Sequence, residues 1–394
     1  MKIAIFSDNF YPELSGISDS LISLAKELAR RGHLVNFYAP EYSSKDYALA
    51  NLKKEELELG EKIKVSRFFS LHYPTPTKQG RMVLPWGLRT LSIKKFNPDV
   101  IHSQHFFGVG LEALIASKIL KKPLIGTNHT AITEFVKYSP IRAKWLETLA
   151  LKYVNWYYGK CKLVTAPSHS VIDEMLQNGF NGECHVISNP IDTETFCILP
   201  SKNWLKKKFN LPERTIIHAG RLSEERNVDV IIRALLLVKK EIPDIHLAIA
   251  GRGTAEEALK SLIASLGLEK NVTFLGFLNK PTLNEAYNAS KLFVITSTAD
   301  TQSMVMMQAM ASGLPIVGVK ARALPEYINR KNGLIVEPGD EKALAEKIIF
   351  LLKNPDERKK LGQGARKFAL NFSAPSIGEE WEAIYKRVAE SYNR

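Results

Sequence analysis

The amino-acid sequence predicts two successive doubly wound α/β units, each a parallel sheet with helices on both faces. Three observations predict it. Short apolar runs alternate with helix-period segments from the first residue, the alternation restarts at TIIHAG after an aperiodic stretch, and 394 residues exceed what one ordinary core organises.

KIAIFSD opens the chain as a strand, because a continuous apolar run bounded by polar residues suits a strand covered on both faces. A helix follows through Leu21, Leu24, Ala25 and Leu28, which share one face, and LVNFYAP is the next strand. DVIHSQ, PLIGTNH, LVTAPS and CHVISNP continue the series, each beside a helical or turn segment. NPIDTETFCILPSKN carries neither period, so the domain boundary falls between about Asn189 and Pro212. TIIHAG then starts a second sheet, followed by a helix with Val228, Ile231, Ile232, Leu235, Leu236 and Val238 on one side. IHLAIAG, VTFLGF, LFVITST, PIVGV and GLIVEPG supply its remaining strands. A charged helix from about Asp340 to Asn354 and a terminal helix from about Pro375 to Tyr392 finish the chain. The expected domains are 1–192, joined by the C-terminal helix at about 375–394, and 193–374. Open sheets bind ligands beyond the C-terminal ends of their strands, so the site is expected where two such units face across a cleft.

A composition of 45% hydrophobic and 24% charged residues is that of a globular protein. No run approaches the roughly 18 apolar residues of a spanning helix, and Met1 leads directly into a strand without a signal-peptide pattern. A cytoplasmic location is the expectation. Cys161, Cys184 and Cys197 have no metal-type spacing and read as ordinary thiols. The net charge of +13 asks for an anionic partner, and the excess concentrates between Lys78 and Lys162, where Lys and Arg face only Asp99, Glu112, Glu134 and Glu147. Trp86, Trp145, Tyr153, Trp156, Tyr157 and Tyr158 lie in the same stretch. Cations with amphipathic rings suit a lipid headgroup surface, so peripheral attachment to the cytoplasmic face of a membrane is one reading. A solvated basic face over core aromatics is the other. Nucleic acid is set aside because no reader motif accompanies the charge.

GRLSEERNVDVIIRA carries the strongest local chemistry. A strand ends at Gly220, a helix begins near Asn227, and Arg221 and Arg226 bracket the turn as permanent cations close to a helix N-terminus, which suits a diphosphate. Gly251-Arg252-Gly253 imitates a dinucleotide fingerprint, but Glu256 stands where the third glycine belongs, so it reads as a tight strand-to-helix turn near the nucleotide. The first loop, DNFYPELSGIS, has no such fingerprint, which argues against a nicotinamide dehydrogenase. His102, His105 and His129 have no carboxylate spaced for coordination, so no metal is expected. Asp8 and Glu13 lie in the first loop, where a carboxylate either contacts an acceptor or is simply solvated.

GRLSEERNVDVIIRA resembles the GRL-x-x-EKN-x-D segment of the retaining family 4 glycosyltransferases, with Arg226 where lysine is usual, and DTQSMVMMQAMASGLPIVG resembles their E-x7-E element. SGISDSLISLAKELARRGH, VIHSQHFFGVG, GTNHT, VTAPSHSV and NPIDTETF are similar to the same family in the same order, so the likeness spans essentially the whole chain. It implies the GT-B architecture of two Rossmann-like domains and a nucleotide-sugar co-substrate, UDP-linked by the family's habit, with no cofactor and no metal. It assigns Arg221 and Arg226 to the donor diphosphate, Asp300 to sugar hydroxyls, Gln308 to the ribose and His129 to the transferred sugar near the reacting carbon. Gly16 and Gly220 would allow backbone approach to phosphate, Gly251 and Gly253 the nucleotide turn, and Phe277 and Leu278 the base pocket. Thr301, Gln302, Ser303 and Met304 complete the donor-side element. Asp300 is one methylene shorter than the usual glutamate, Gln308 is uncharged, and Ser303 replaces a glycine. DTQSMVMMQAMASG and KIAIFSDNFYPELSG look most like the diacylglycerol glucosyltransferase branch, which implies a hexose transferred with retention to a membrane lipid. A soluble sugar or polysaccharide acceptor, and a nucleotide-sugar-binding protein with impaired catalysis, are the alternatives.

Overall fold

A computed structural model describes residues 1–13, 15–50, 52–73, 79–87, 89–130, 144–200 and 207–393. The chain forms two compact units, Met1–Pro190 with Ala374–Arg394, and Ile191–Ser373.

The first unit runs β1 (Lys2–Phe6), α1 (Gly16–Arg30), β2 (Leu34–Pro40), α2 (Ser44–Leu49), β3 (Ile63–Phe68), β4 (Leu71–His72), β5 (Arg81–Met82), α3 (Thr90–Phe96), β6 (Val100–Ser103), α4 (Val109–Leu120), β7 (Leu124–Thr127), α5 (Lys144–Tyr158), β8 (Leu163–Ala166), α6 (His169–Gln177) and β9 (Cys184–Val186). Its main sheet has the order β3-β2-β1-β6-β7-β8-β9, and all its pairs are parallel. β4 and β5 form a separate antiparallel pair, a short hairpin that the apolar periodicity does not reveal. Every residue of β6, β7 and β8 is buried, as expected of strands covered on both faces. Ser15 caps α1 by accepting a hydrogen bond from the Ser18 N–H, so Gly16 is the first helical residue and not part of the preceding loop.

The second unit runs β10 (Thr215–Ala219), α7 (Val228–Glu241), β11 (His246–Ala250), α8 (Glu256–Ser265), β12 (Val272–Gly276), α9 (Lys280–Ala289), β13 (Phe293–Ile295), α10 (Met304–Ala311), β14 (Ile316–Val319), α11 (Leu324–Tyr327), β15 (Gly333–Val336), α12 (Glu341–Lys353) and α13 (Pro355–Leu370). Its sheet is β12-β11-β10-β13-β14-β15, again wholly parallel. Ile231, Ile232, Leu235 and Val238 of α7 are buried in a core shared with β10, β11, β13 and β14. The last helix, α14 (Ala374–Asn393), belongs to the first unit, where Glu382 pairs with Arg31 at 3.1 Å beyond the end of α1.

Strand order reverses between β1 and β6 in the first unit and between β10 and β13 in the second. At such a switch point the loops leaving the two central strands part in opposite directions and open a crevice beyond the strand ends. The candidate residues lie on or just after the loops that leave β1, β6 and β7 in the first unit, and β10, β11, β12 and β13 in the second.

Candidate active site

In the second unit the chain leaves β10 through Gly220 at φ +142, a conformation that favours glycine. It then makes a 3-10 turn over Glu224–Arg226 and enters α7 through Asn227. This loop is sewn to the one after β13. Thr296 donates its hydroxyl to the carbonyls of Arg226 and Asn227 at 3.0 and 2.8 Å, and the Thr298 N–H donates to the Glu225 carbonyl at 3.2 Å. Arg226 is thereby delivered to Asp300, 74 residues away, with Nη1 2.5 Å from Oδ1. Arg226 is 21% and Asp300 7% exposed, whereas Arg221 is 44% exposed and its Nη2 lies 3.6 Å from Glu225 Oε1. The two arginines bracketing the turn are therefore not equivalent. Burial lowers the affinity of Arg226 for its proton, but the Asp300 carboxylate more than offsets this and holds it above the ordinary arginine value.

The loops after β10, β11 and β12 are laced by backbone hydrogen bonds, Gly220 to Ala250, Gly251 to Gly276 and Leu222 to Arg252. A Cβ at Gly251 would lie 1.8 Å from the Gly220 carbonyl oxygen, and one at Gly253 2.0 Å from that of Leu222. These glycines are thus required by the contact of neighbouring loops. Phe277 is partly exposed after Gly276, and Leu278 packs against the core. Gln302, Ser303 and Gln308 are buried, while Thr301 and Met304 are half-buried. Ser303 has φ −78, which any residue adopts, so replacing glycine there carries no backbone strain.

Among the described residues, Arg226 Nε, Asp300 Oδ2 and Ser303 Oγ of this cluster are buried without a hydrogen-bond partner, as is Nε2 of the neighbouring His218. Each costs on the order of 1–3 kcal/mol when left unpaired, more if charged, and a ligand rich in oxygen would supply the partners. His218 on β10, which sequence reasoning missed, sits behind them with Nδ1 3.0 Å from the Val294 carbonyl. Burial pushes it down to about 4, so it is neutral.

In the first unit, His129 follows β7 and places Nε2 2.7 Å from Gln104 Oε1. Gln104 Nε2 is 2.9 Å from His102 Nε2, and the His105 and His129 rings are 6.4 Å apart. Burial pushes His102 and His129 down to about 3 and His105 to about 4. Among the described residues no group of His, Cys, Asp or Glu is arranged to hold a metal ion.

Asp8 corrects the expectation of a solvated loop carboxylate, for it is buried where α4 begins. Its Oδ1 accepts from the Val109 N–H at 3.1 Å, and Gly108, at φ +53, leaves no room for a Cβ, which would lie 2.3 Å from that oxygen. Burial raises Asp8 to about 8, the Val109 bond opposing and Glu13 adding to the shift. A folded-state value above the unfolded one means that stability is fully present below about pH 4 and is lost as pH rises through 8. Above about pH 7.5 the histidines are close to neutral in both states, so Asp8 is expected to make wild-type stability fall with rising pH, by about 0.7 kcal/mol per unit near pH 8, where its folded form is half ionised. Asp8→Asn is expected to flatten that slope in urea melts, and equal slopes would show that Asp8 is ionised when folded.

The basic segment divides. Trp86, Trp145 and Trp156 are exposed, whereas Tyr157 and Tyr158 are core residues and Tyr153 is half-buried. Lys78, Glu134, Lys137, Arg142 and the side chains of Lys144 and Glu147 lie outside the described residues. No helix among the described residues is long and apolar enough to cross a membrane.

Residues 14–195 match the model of Glycosyltransferase Family 4, and residues 202–368 that of Glycosyl transferases group 1. The chain is 24% identical over 410 residues to an alpha-monoglucosyldiacylglycerol synthase of Acholeplasma laidlawii, covering 100% of this chain and 99% of that protein. A Streptococcus pneumoniae protein of the same name is 27% identical over 364 residues, 90% of this chain and 79% of that one. Among solved structures, Anabaena HepE in complex with UDP and glucose matches with a TM-score of 0.78 at 22% identity, covering 98% of this chain and 100% of that one. With a family 4 domain followed by a group 1 domain, each on its own parallel Rossmann-like sheet, the chain belongs to the GT-B glycosyltransferases of family 4.

Proposed function

We propose that the protein transfers a hexose, glucose by preference, from a UDP-linked donor to a hydroxyl of diacylglycerol at an anionic membrane surface, with retention of configuration and without a metal. The observation that carries the donor side is the buried Arg226–Asp300 pair, with Arg226 Nε, Asp300 Oδ2 and Ser303 Oγ left for a ligand. Arg221 and Arg226 bind the diphosphate and stabilise the charge that grows on it as it departs, the work a metal would otherwise do. Asp300 holds sugar hydroxyls beside Thr301, Gln302, Ser303 and Met304, and Gln308 holds the ribose. Phe277 and Leu278 flank the base, Gly16 and Gly220 let the donor approach the backbone, and Gly251 and Gly253 form the tight turn beside the nucleotide. His129 is assigned the transferred sugar, which it orients. In the transfer the anomeric carbon–phosphate oxygen bond breaks and the bond to the acceptor oxygen forms on the same face. The acceptor proton passes to the leaving phosphate.

The acceptor side is supported by the names of the two synthases similar to this chain and by an exposed apolar surface on the first unit. Leu71 and Met82 pair across the β4–β5 hairpin, Phe69 and Leu84 flank them, and Arg89 reaches back to the carbonyls of both flanking residues at 3.4 and 2.9 Å. Trp86 and Leu91 are also exposed in the segment after β5, and the exposed Lys94 and Lys95 follow Leu91 by three and four residues on α3, so they share its face. Exposed apolar groups with adjacent cations suit an anionic leaflet.

The anomeric proton coupling of the purified glycolipid tests the stereochemistry, with an α-product expected from UDP-glucose and a β-product contradicting retention. Gln308→Glu is expected to lower the donor KM about tenfold, since a carboxylate accepts a ribose hydroxyl more strongly than an amide. An unchanged KM would remove Gln308 from the ribose site.

A further inference from the structure

Gln104 stands between two imidazoles. Its Oε1 is 2.7 Å from His129 Nε2, and its Nε2 is 2.9 Å from His102 Nε2. His102 in turn has Nδ1 2.8 Å from the Tyr385 hydroxyl and Nε2 2.6 Å from the Thr127 hydroxyl, which lies 2.7 Å from that of Thr165. The Trp381 ring, on the same helix as Tyr385, packs 4.5 Å from the His102 ring. His102 and Gln104 are buried, and both occupy the end of β6 at the switch point of the first sheet.

An amide oxygen only accepts and an amide nitrogen only donates. With Gln104 oriented this way, His129 Nε2 carries a proton and His102 Nε2 does not, so His102 bears its proton on Nδ1 and donates it to Tyr385. The Thr127 hydroxyl joins Gln104 in donating to His102 Nε2. Each of these contacts then joins a donor to an acceptor, so the one amide orientation fixes both tautomers. A neutral amide also offers an imidazolium no counter-charge, unlike the carboxylate that backs a histidine acting as a base. The cavity beside the chain, bounded by Leu24, His102, Gln104, Thr127, His129 and Trp381, is about 10 Å³, the lower limit for one water.

We propose that Gln104 and His102 are positioning residues which, anchored on α14 through Tyr385, hold His129 in its Nε2–H tautomer with a fixed ring orientation, so that it orients substrate and does not take the acceptor proton. The functional half of this rests on the assignment of His129 to the transferred sugar. The tautomer itself does not.

The test is histidine side-chain 15N NMR of the intact protein, with turnover of UDP-glucose in diacylglycerol-containing anionic vesicles measured in parallel. In the native protein His129 is expected to show a protonated Nε2 and an unprotonated Nδ1. Gln104→Leu removes the amide, and the milder Tyr385→Phe removes only the distant hydroxyl. Both are expected to populate the opposite tautomer at His129, and Gln104→Leu to lower kcat at least tenfold with donor KM changed less than twofold. Gln104→Glu supplies the missing counter-charge and is expected to make His129 doubly protonated near pH 7. A native Nδ1–H tautomer, or a His129 spectrum unmoved by both deletions, overturns the proposal. Native protein that leaves UDP-glucose intact counts against the lipid reading, while the spectra still decide the chain.

Discussion

Arg221→Ala is expected to lower kcat by about 10²- to 10³-fold, the loss seen when a donor aimed at developing charge is removed, with no change in the melting temperature. Arg221 is 44% exposed, and Glu225, 3.6 Å from it, keeps the Ser223 hydroxyl as a donor at 2.6 Å, so truncation does not strip Glu225 of its hydrogen bond. Arg226→Ala is expected to differ. It too should lower kcat by at least about 10²-fold, but it leaves the Asp300 carboxylate buried without its cation, a situation that costs up to about 3–5 kcal/mol. Adding Asp300→Ala should restore most of that stability and none of the activity. Kinetics and thermal melts on the four proteins separate the two roles. Near-normal turnover in Arg221→Ala would end its assignment to the diphosphate, and an unchanged melting temperature in Arg226→Ala would mean that the pair contributes nothing to folding.

The second large effect is expected at the membrane. Leu84, Trp86 and Leu91 are 53%, 68% and 65% exposed, so replacing all three with Ser should leave the fold intact. A fully buried side chain of this size is worth about 1.5–3 kcal/mol, and even partial insertion of three predicts a loss of at least about 100-fold in partitioning to anionic vesicles. Lys94→Glu with Lys95→Glu should weaken binding mainly at low salt, because each cation near the surface contributes about 1 kcal/mol that screening removes. Sedimentation with phosphatidylglycerol-containing and neutral vesicles reads both. Wild-type protein that sediments equally with the two vesicle types, or a triple Ser variant that still binds, would locate the contact elsewhere.

The fold class was legible because the central strands are buried on both faces and therefore read as unbroken apolar runs between helix-period segments. Elements without that signature were not read. β3 is IKVSRF, with charged residues inside the strand, and α13 carries Gly362 and Gly364 in its interior, which propensity counts against a helix. Those glycines are there because neighbouring backbone approaches them, a Cβ at Gly364 falling 1.8 Å from the Lys331 carbonyl oxygen. The same division holds at the site. The loops were legible from glycines, arginines and their place after strands. The pairing of Arg226 with Asp300 was not, since it is set by β10 lying beside β13 in the sheet, as Ile217 does with Phe293. Asp8 reads as a polar loop residue in DNFYPELSG, and only the docking of Gly108 and the start of α4 onto it creates its burial. Gln104 has no local signature at all, because its partners come from two neighbouring strands and their loops.

Nucleotide release from UDP-glucose, measured with diacylglycerol-containing anionic vesicles and with the same vesicles lacking diacylglycerol, separates a lipid glucosyltransferase from its alternatives, with GDP- and ADP-sugars alongside. Rapid UDP release from UDP-glucose is expected only when vesicles and diacylglycerol are both present. Release that is indifferent to diacylglycerol, or none from any donor under any condition, would contradict the proposed function.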